Sequence, residues 1–327
     1  MTRSAFLTGA TGFVGANLAA ELVRQGWRVT ALVRADSPME DIEALDLDLR
    51  IGDLTDPGSV VAAMPAAVDC VFHVAASTNI WSRRNAAQER VNVDGTRHVV
   101  DAALASGARR MVHTSSFVVW GFGHDLLTED SPRHDNADWI NYVRTKSVAE
   151  GIVKQAVRER ALDAVILNPA HILGPGDRHN WSRMIRLVSQ GKLPGVPPGG
   201  GPFADVREVA KAHVAAFHAG RTGANYLLGG HDTPFLEVIR LTGELLGRRV
   251  PRRASPPWLL AIAARAYVLA AAITGKPPDL TPEGAALITH HIPCDSSRAR
   301  RELGYTFTPV RTLLADTCEW MRGRGLL

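Results

Sequence analysis

Three glycines at three-residue spacing, Gly9, Gly12 and Gly15, follow directly on the short apolar run Ala5-Phe6-Leu7-Thr8. The pattern reads as a strand that turns sharply into a helix over residues 12–24, ending near Gly26. Glycine permits the tight turn, lets backbone approach a phosphate, and allows helix and strand to pack closely. N–H groups at the helix start, from Thr11 through Phe13 and Val14, then face a pyrophosphate. A chain that opens this way is held to an α/β design with a dinucleotide at the sheet edge.

The following residues keep the alternation. Residues 27–33, 47–51, 69–74, 110–115 and 163–167 read as further strands, with long helical patterns over 86–105, stopped by Gly107, and 140–160. Strands alternating with helices predict a doubly wound parallel (Rossmann) sheet, with right-handed crossovers placing a cofactor at its carboxyl edge. Residues 1–170 are expected to form this dinucleotide-binding domain, joined by further strands from about 200–230. After Pro169 the texture changes: 174–176 and 196–202 read as loops, and 171–327 as a smaller, mostly helical substrate lobe, interleaved with the sheet.

At 327 residues and 46% hydrophobic, the chain has ample material for a buried core. The net charge of +4 comes from scattered basic residues, and the runs 109–110, 252–253 and 298–301 read as solvated surface, so no nucleic-acid partner is expected. Cys70, Cys294 and Cys318 lie far apart without CxxC spacing, which fits a reducing cytoplasm. The sequence opens straight into a strand with no signal-peptide pattern. Residues 258–273 are strongly apolar but interrupted by Arg265 and short for a bilayer span; they read as a buried or lid helix, with interfacial membrane contact as the alternative. HExxH is absent and His290-His291 is an isolated pair, so no metal site is expected.

The second strand ends in Leu32-Val33-Arg34, where an acidic residue would bond free ribose hydroxyls. Arg34, with Ser37 nearby, would instead meet a 2′-phosphate, which favours NADP; Asp36 keeps NAD open. Asp53, in Gly52-Asp53-Leu54, could hold the adenine, and the small Ala75 and Ala76 leave room for a cofactor against backbone.

Tyr142 and Lys146 are four residues apart, hence on one helix face. A phenol of pKa about 10 is a poor base at neutral pH. A neighbouring ammonium stabilises the phenolate, and Lys146 could also bond the nicotinamide ribose. Ser116, at the end of the fifth strand, could bind a substrate oxygen and orient it toward Tyr142; Ser115 would do so if the register differed by one.

Together these residues resemble an extended short-chain dehydrogenase/reductase of the NAD-dependent epimerase/dehydratase superfamily. The resemblance spans nearly the whole chain: the glycine turn, Gly52-Asp53-Leu54, Asn92-Val93-Asp94-Gly95-Thr96, Thr114-Ser115-Ser116, Tyr142 to Lys146, Asn168-Pro169, Gly174-Pro175-Gly176-Asp177 and Arg301-Glu302-Leu303-Gly304-Tyr305. It implies Tyr142 as proton donor or acceptor, Lys146 as its partner, Ser116 as carbonyl binder, and backbone near Pro169 and Ile172 against the nicotinamide carboxamide. It also implies a homodimer through the helices of 86–105 and 140–160. Within the superfamily the chain is most similar to dihydroflavonol-4-reductase-like proteins, including hopanoid-associated members described as sugar epimerases.

Sugar-nucleotide epimerases of this superfamily usually carry an arginine that clamps the pyrophosphate near the stretch matching Phe203 to Val206. Here Gly199-Gly200-Gly201-Pro202 offers no cation, although Arg207 or Arg183 could substitute. Trp81, Trp120, Phe122, His171 and Trp181 are expected on substrate-facing loops, where aromatic walls suit a compact apolar or cyclic carbonyl compound; lobe packing is the competing role for each tryptophan. The expectation is an NADP-dependent oxidoreductase of a small-molecule substrate, with an epimerase as runner-up.

Overall fold

Apolar residues pack both faces of the N-terminal strand, so it sits inside a sheet rather than at its edge. The structure, a computed structural model, describes residues 2–327. In chain order the strands are β1 (Ser4–Thr8), β2 (Arg28–Val33), β3 (Leu47–Ile51), β4 (Cys70–His73), β5 (Arg110–Thr114), β6 (Ala164–Pro169), β7 (His171–Leu173), β8 (Gly200–Asp205), β9 (Asn225–Leu228) and β10 (His231–Pro234). The α-helices are α1 (Phe13–Arg24), α2 (Pro57–Ala63), α3 (Asn85–Glu89), α4 (Gly95–Ser106), α5 (Asn141–Arg160), α6 (Trp181–Ser189), α7 (Val206–Ala219), α8 (Phe235–Leu246), α9 (Pro257–Thr274), α10 (Pro282–Thr289), α11 (Ser297–Leu303) and α12 (Val310–Gly323).

Seven parallel strands form the main sheet in the order β3-β2-β1-β4-β5-β6-β9. Successive strands run outward from β1 to β3 and then, from β4, in the opposite direction. That reversal opens a crevice at the carboxyl ends of β1 and β4. The fold is therefore the doubly wound α/β sheet expected, and the glycine turn lies at its switch point.

One layer packs Leu18 and Leu22 of α1 with Val209 and Phe217 of α7; the other packs Val60, Val99, Val153 and Ile166. Leu18 and Leu22 are fully buried, each contributing roughly 1.5–3 kcal/mol by removal from water. Beyond the sheet, β10-β8-β7 make a small second sheet in the C-terminal part of the chain.

Three local readings are corrected. Residues 200–202, expected as loop, begin β8: a glycine-proline run looks like a turn, but Gly200 pairs with His290 and Ile292 backbone as well as with β10. The helix over 86–105 is broken by a π-helical turn at Arg90–Asp94. Asn92 in that turn reaches out of the helix: its amide donates to Ser77 O and Thr145 Oγ1, and its Oδ1 accepts from Ser77 N at 2.7 Å. Finally, α9 is not buried; of its residues only Ala264 and Ala271 are covered, because it packs along one side alone.

Candidate active site

The first turn of α1 contains no acidic residue, and Gly12 at its N-cap offers no side chain to bond the free N–H groups. Those N–H groups, near Phe13, Val14 and Gly15, remain available to an anion. Gly9 adopts φ +80°, and a Cβ there would stand 2.7 Å from Ala75 N. A Cβ on Gly15 would come within 1.9 Å of Gly9 O. The turn is thus closed to side chains where a pyrophosphate needs bare backbone, and Ala75, followed by Ala76, lies directly against it. The residues fit a dinucleotide. Thr11, Gly12 and Phe13 also line a small pocket covered by Gly176 to Asn180, where Arg178 clasps Asp41 through two bonds of 2.9 Å.

A second, open pocket at the ends of β2 and β3 is lined by Arg34, Ala35, Asp36, Gly52, Asp53 and Ser59. Arg34 is mostly exposed and pairs with Asp36 at 3.2 Å. Asp53 Oδ1 accepts from Thr55 N and Oγ1 at 2.7 and 2.8 Å, and the Thr55 backbone bond foremost holds its carboxyl below the usual range. Leu54 turns its side chain into the core, touching Gly95, so it contributes no side chain to the pocket.

The strand ends of β5 and β6 and the start of α5 converge beside this crevice. Tyr142 and Lys146 lie one helical turn apart on α5. Lys146 is buried, and its Nζ donates to Thr114 O at 2.6 Å. Burial lowers its pKa to about 8, opposed by the charge of Glu150. Burial pushes the Tyr142 phenol above its usual range, while a hydrogen bond with Ser116 opposes the rise. The group that bears on the phenol here is Ser116; the ammonium is directed at the Thr114 carbonyl. Pro169 ends β6 and Ile172 lies in β7, and Asn168 Nδ2 donates to Ser116 O at 3.1 Å, which joins the two strand ends.

Ser115 is excluded as the substrate-facing serine. Its hydroxyl donates to Glu150 Oε2 at 2.6 Å on the buried side of the strand end. Glu150 is the hub of a network that the sequence reading missed. It also accepts from Asn168 Nδ2 and Asn225 Nδ2, each at 2.9 Å, and pairs with Lys154 at 3.0 Å and with Arg133. Burial alone would raise its carboxyl, but Arg133, Lys154, Ser115 and Asn225 together hold it below the ordinary value. Gln88 was missed too, and Asn92, named only within the motif that carries the resemblance, was given no role. Gln88 bonds Ser77 O and Asn79 O and accepts from Asn141, so it fixes the loop after β4 against α5. The only sequence signal for Glu150 was an acid on the core face of an amphipathic helix.

Most of the expected aromatic wall is core instead. Trp120 and Phe122 are buried with Phe117, Val118 and Leu127, in the same apolar cluster that Tyr142 joins. Trp181 and His171 pack against Phe203 and Phe235, and burial lowers the His171 pKa to about 4. Trp81 remains partly open on the turn before α3, with Arg83 and Arg84 over its ring. Neither proposed phosphate clamp is free: Arg207 is bound to Asp205 and Asp316, and Arg183 to Asp279. No cluster of metal-ligating side chains exists among the described residues.

A parallel sheet with a bare glycine turn at its switch point and a Ser/Tyr/Lys set beside it defines a nicotinamide-dependent enzyme of the extended short-chain dehydrogenase/reductase type. The sequence profile of the NAD dependent epimerase/dehydratase family matches residues 5–229, and the chain belongs to that family. It is 34% identical to "Sterol demethylase protein B" of Methylococcus capsulatus, over 98% of this chain and 99% of that one. A provisionally named dihydroflavonol 4-reductase of Synechocystis is 31% identical over 98% and 95% of the two chains. The crystal structure of gox2253 superposes with a TM-score of 0.86 at 30% identity, covering all of both chains.

Proposed function

We propose that this protein is an NADP(H)-dependent oxidoreductase acting on a carbonyl or secondary alcohol of an apolar, cyclic substrate. The observation that carries this reading is the setting of the Tyr142 phenol: protonated, partnered by Ser116, and joined to an apolar cluster that includes Phe117, Val118 and Leu287. The nicotinamide supplies or takes the hydride when bound. Ser116 donates a hydrogen bond to the substrate oxygen, which polarises the carbonyl. Tyr142 gives its proton to that oxygen as negative charge develops, or takes it in the reverse direction. Burial keeps the phenol in its protonated form, the form that reduction requires at the start of the step. Lys146, held by Thr114 O one turn further along α5, would hold the ribose hydroxyls of a bound cofactor.

Two features support an apolar substrate over a sugar nucleotide. Arg207 and Arg183 are committed to carboxylates, so a diphosphate entering the cleft would leave its hydration without a free clamp. The names of the two relatives also refer to ring compounds, a sterol and a dihydroflavonol. Arg34 at the adenosine end supports NADP: its carboxylate partner, Asp36, is a solvent-exposed neighbour held through Nε at 3.2 Å, a contact that a 2′-phosphate could displace. The test is NADPH and NADH consumption by purified protein across steroid, flavonoid and simple cyclic ketones. Net oxidation of NADPH by ring ketones supports the reading. Tightly retained NAD with sugar-nucleotide turnover and no net cofactor consumption would replace it with an epimerase.

A further inference from the structure

The helix α9 is apolar on all sides yet covered on only one. A helix hydrophobic all round is normally buried. Here Trp258, Ile262, Leu269 and Ile273 fall on one face at 3.6-residue spacing, and they are 63%, 56%, 68% and 88% exposed. The opposite face rests on α10. Between Glu244 and Asp279 there is no carboxylate, whereas Arg248, Arg249, Arg252, Arg253, Arg265 and Lys276 are all exposed cations. Glu244 is already paired with Arg240 and Arg311, and Asp279 with Arg183, so the two bordering acids do not neutralise this cationic stretch.

We propose that α9 docks the protein in the plane of an anionic phospholipid bilayer. Apolar side chains on one face enter the acyl boundary while the flanking arginines meet phosphate headgroups. Arg265, on the edge of that face, extends its stem along the apolar surface and its guanidinium to the headgroups. The helix does not span. Its 18 residues, about 27 Å, are at the short end for a ~30 Å hydrocarbon core, and Arg265 interrupts them. The segments at both its ends are also tied to the body: Ser255 N bonds Val196 O, and Thr281 Oγ1 bonds Ile80 O. The helix behind it, α10, contributes Ala286 and Leu287 to the cluster that Tyr142 joins. Docking therefore brings the apolar side of the site next to the membrane, which on the reductase reading is where a lipid-soluble ketone would enter.

The test uses the full chain and co-sedimentation with vesicles, read without reference to activity. Vesicles of phosphatidylcholine alone are compared with vesicles containing phosphatidylglycerol. Binding to the anionic vesicles, weakened by salt, is expected. The pair Ile262→Asp and Leu269→Asp should cut partitioning at least about tenfold with an unchanged thermal midpoint. Ile273→Asp alone, at the most exposed position, should act in the same direction and guards against misfolding of the pair. No binding to anionic vesicles, or binding indifferent to these substitutions, overturns the proposal. So does a dimer in solution that the same substitutions dissociate while the wild type ignores vesicles.

Discussion

Adjacent serines at the end of β5 face opposite tasks: Ser115 donates to the buried Glu150 carboxylate at 2.6 Å, while Ser116 is the group that counters the burial-driven rise of the Tyr142 pKa. The alternation of side chains along an extended backbone separates them. One is spent on the scaffold and the other on the site, and their substitutions should differ accordingly. Ser116→Ala is expected to lower kcat by about 10²–10³-fold with little change in thermal midpoint. Ser115→Ala should cost roughly 1–3 kcal/mol of stability and leave kcat nearly intact. Steady-state kinetics and thermal melts on both variants check this, and reversed effects would exchange the serines' roles.

Glu150 gathers two cations, a hydroxyl and two amides around one carboxylate with no exposed surface. Removing a buried partner of this kind strands the remaining groups. Glu150→Ala should therefore destabilise by about 3–5 kcal/mol, measured by denaturant unfolding. A loss below ~1 kcal/mol would mean that water replaces the carboxylate easily.

Three buried histidines and the partly buried His171 give the fold an acid limit. Burial lowers the pKa of His73 to about 3 and of His171 and His213 to about 4, and drives His113 well down. Each is neutral in the fold and titrates near 6.5 when unfolded, so the unfolded chain binds more protons between those values. Stability is accordingly full above about pH 6.5 and falls as pH drops toward 4, by at most ~1.4 kcal/mol per pH unit for each histidine. Neither ring nitrogen of His113 has a hydrogen-bond partner. His113→Met should be tolerated at pH 7.5 and should flatten the acid slope, as read from urea unfolding at several pH values. An unchanged slope would assign the acid limit to other groups.

At the adenosine end, Arg34→Ala should raise KM for NADPH by about tenfold or more, the equivalent of a lost charge-assisted bond. KM for NADH should change less than about threefold, because no 2′-phosphate is present to lose the contact. Equal effects on both cofactors would remove Arg34 from specificity.

The parts of this molecule with short-range causes were legible in the sequence. The glycine turn, the alternation of strands with helices and the Tyr142/Lys146 spacing each follow from local geometry, and the fold agrees with them. What stayed hidden depends on contacts distant in sequence. Ser115 and Glu150 are separated by 35 positions, and Asn225 reaches the same carboxylate from 75 away. The choice between Ser115 and Ser116 needed that partner. Trp120 and Phe122 suit a pocket wall or a core equally by composition, and tertiary packing decided for the core. For α9 the apolar pattern implied burial, but coverage depends on what packs against it, and α10 covers a single side.

Reduction by this enzyme depends on the Tyr142 proton. Single-turnover reduction of a ring ketone by NADPH, comparing wild type with Tyr142→Phe, tests it most directly. Loss of about 10²–10⁴-fold in the rate of NADPH oxidation, with cofactor affinity within a few-fold of wild type, is the predicted result. A Tyr142→Phe enzyme that oxidises NADPH at the wild-type rate would contradict the assignment.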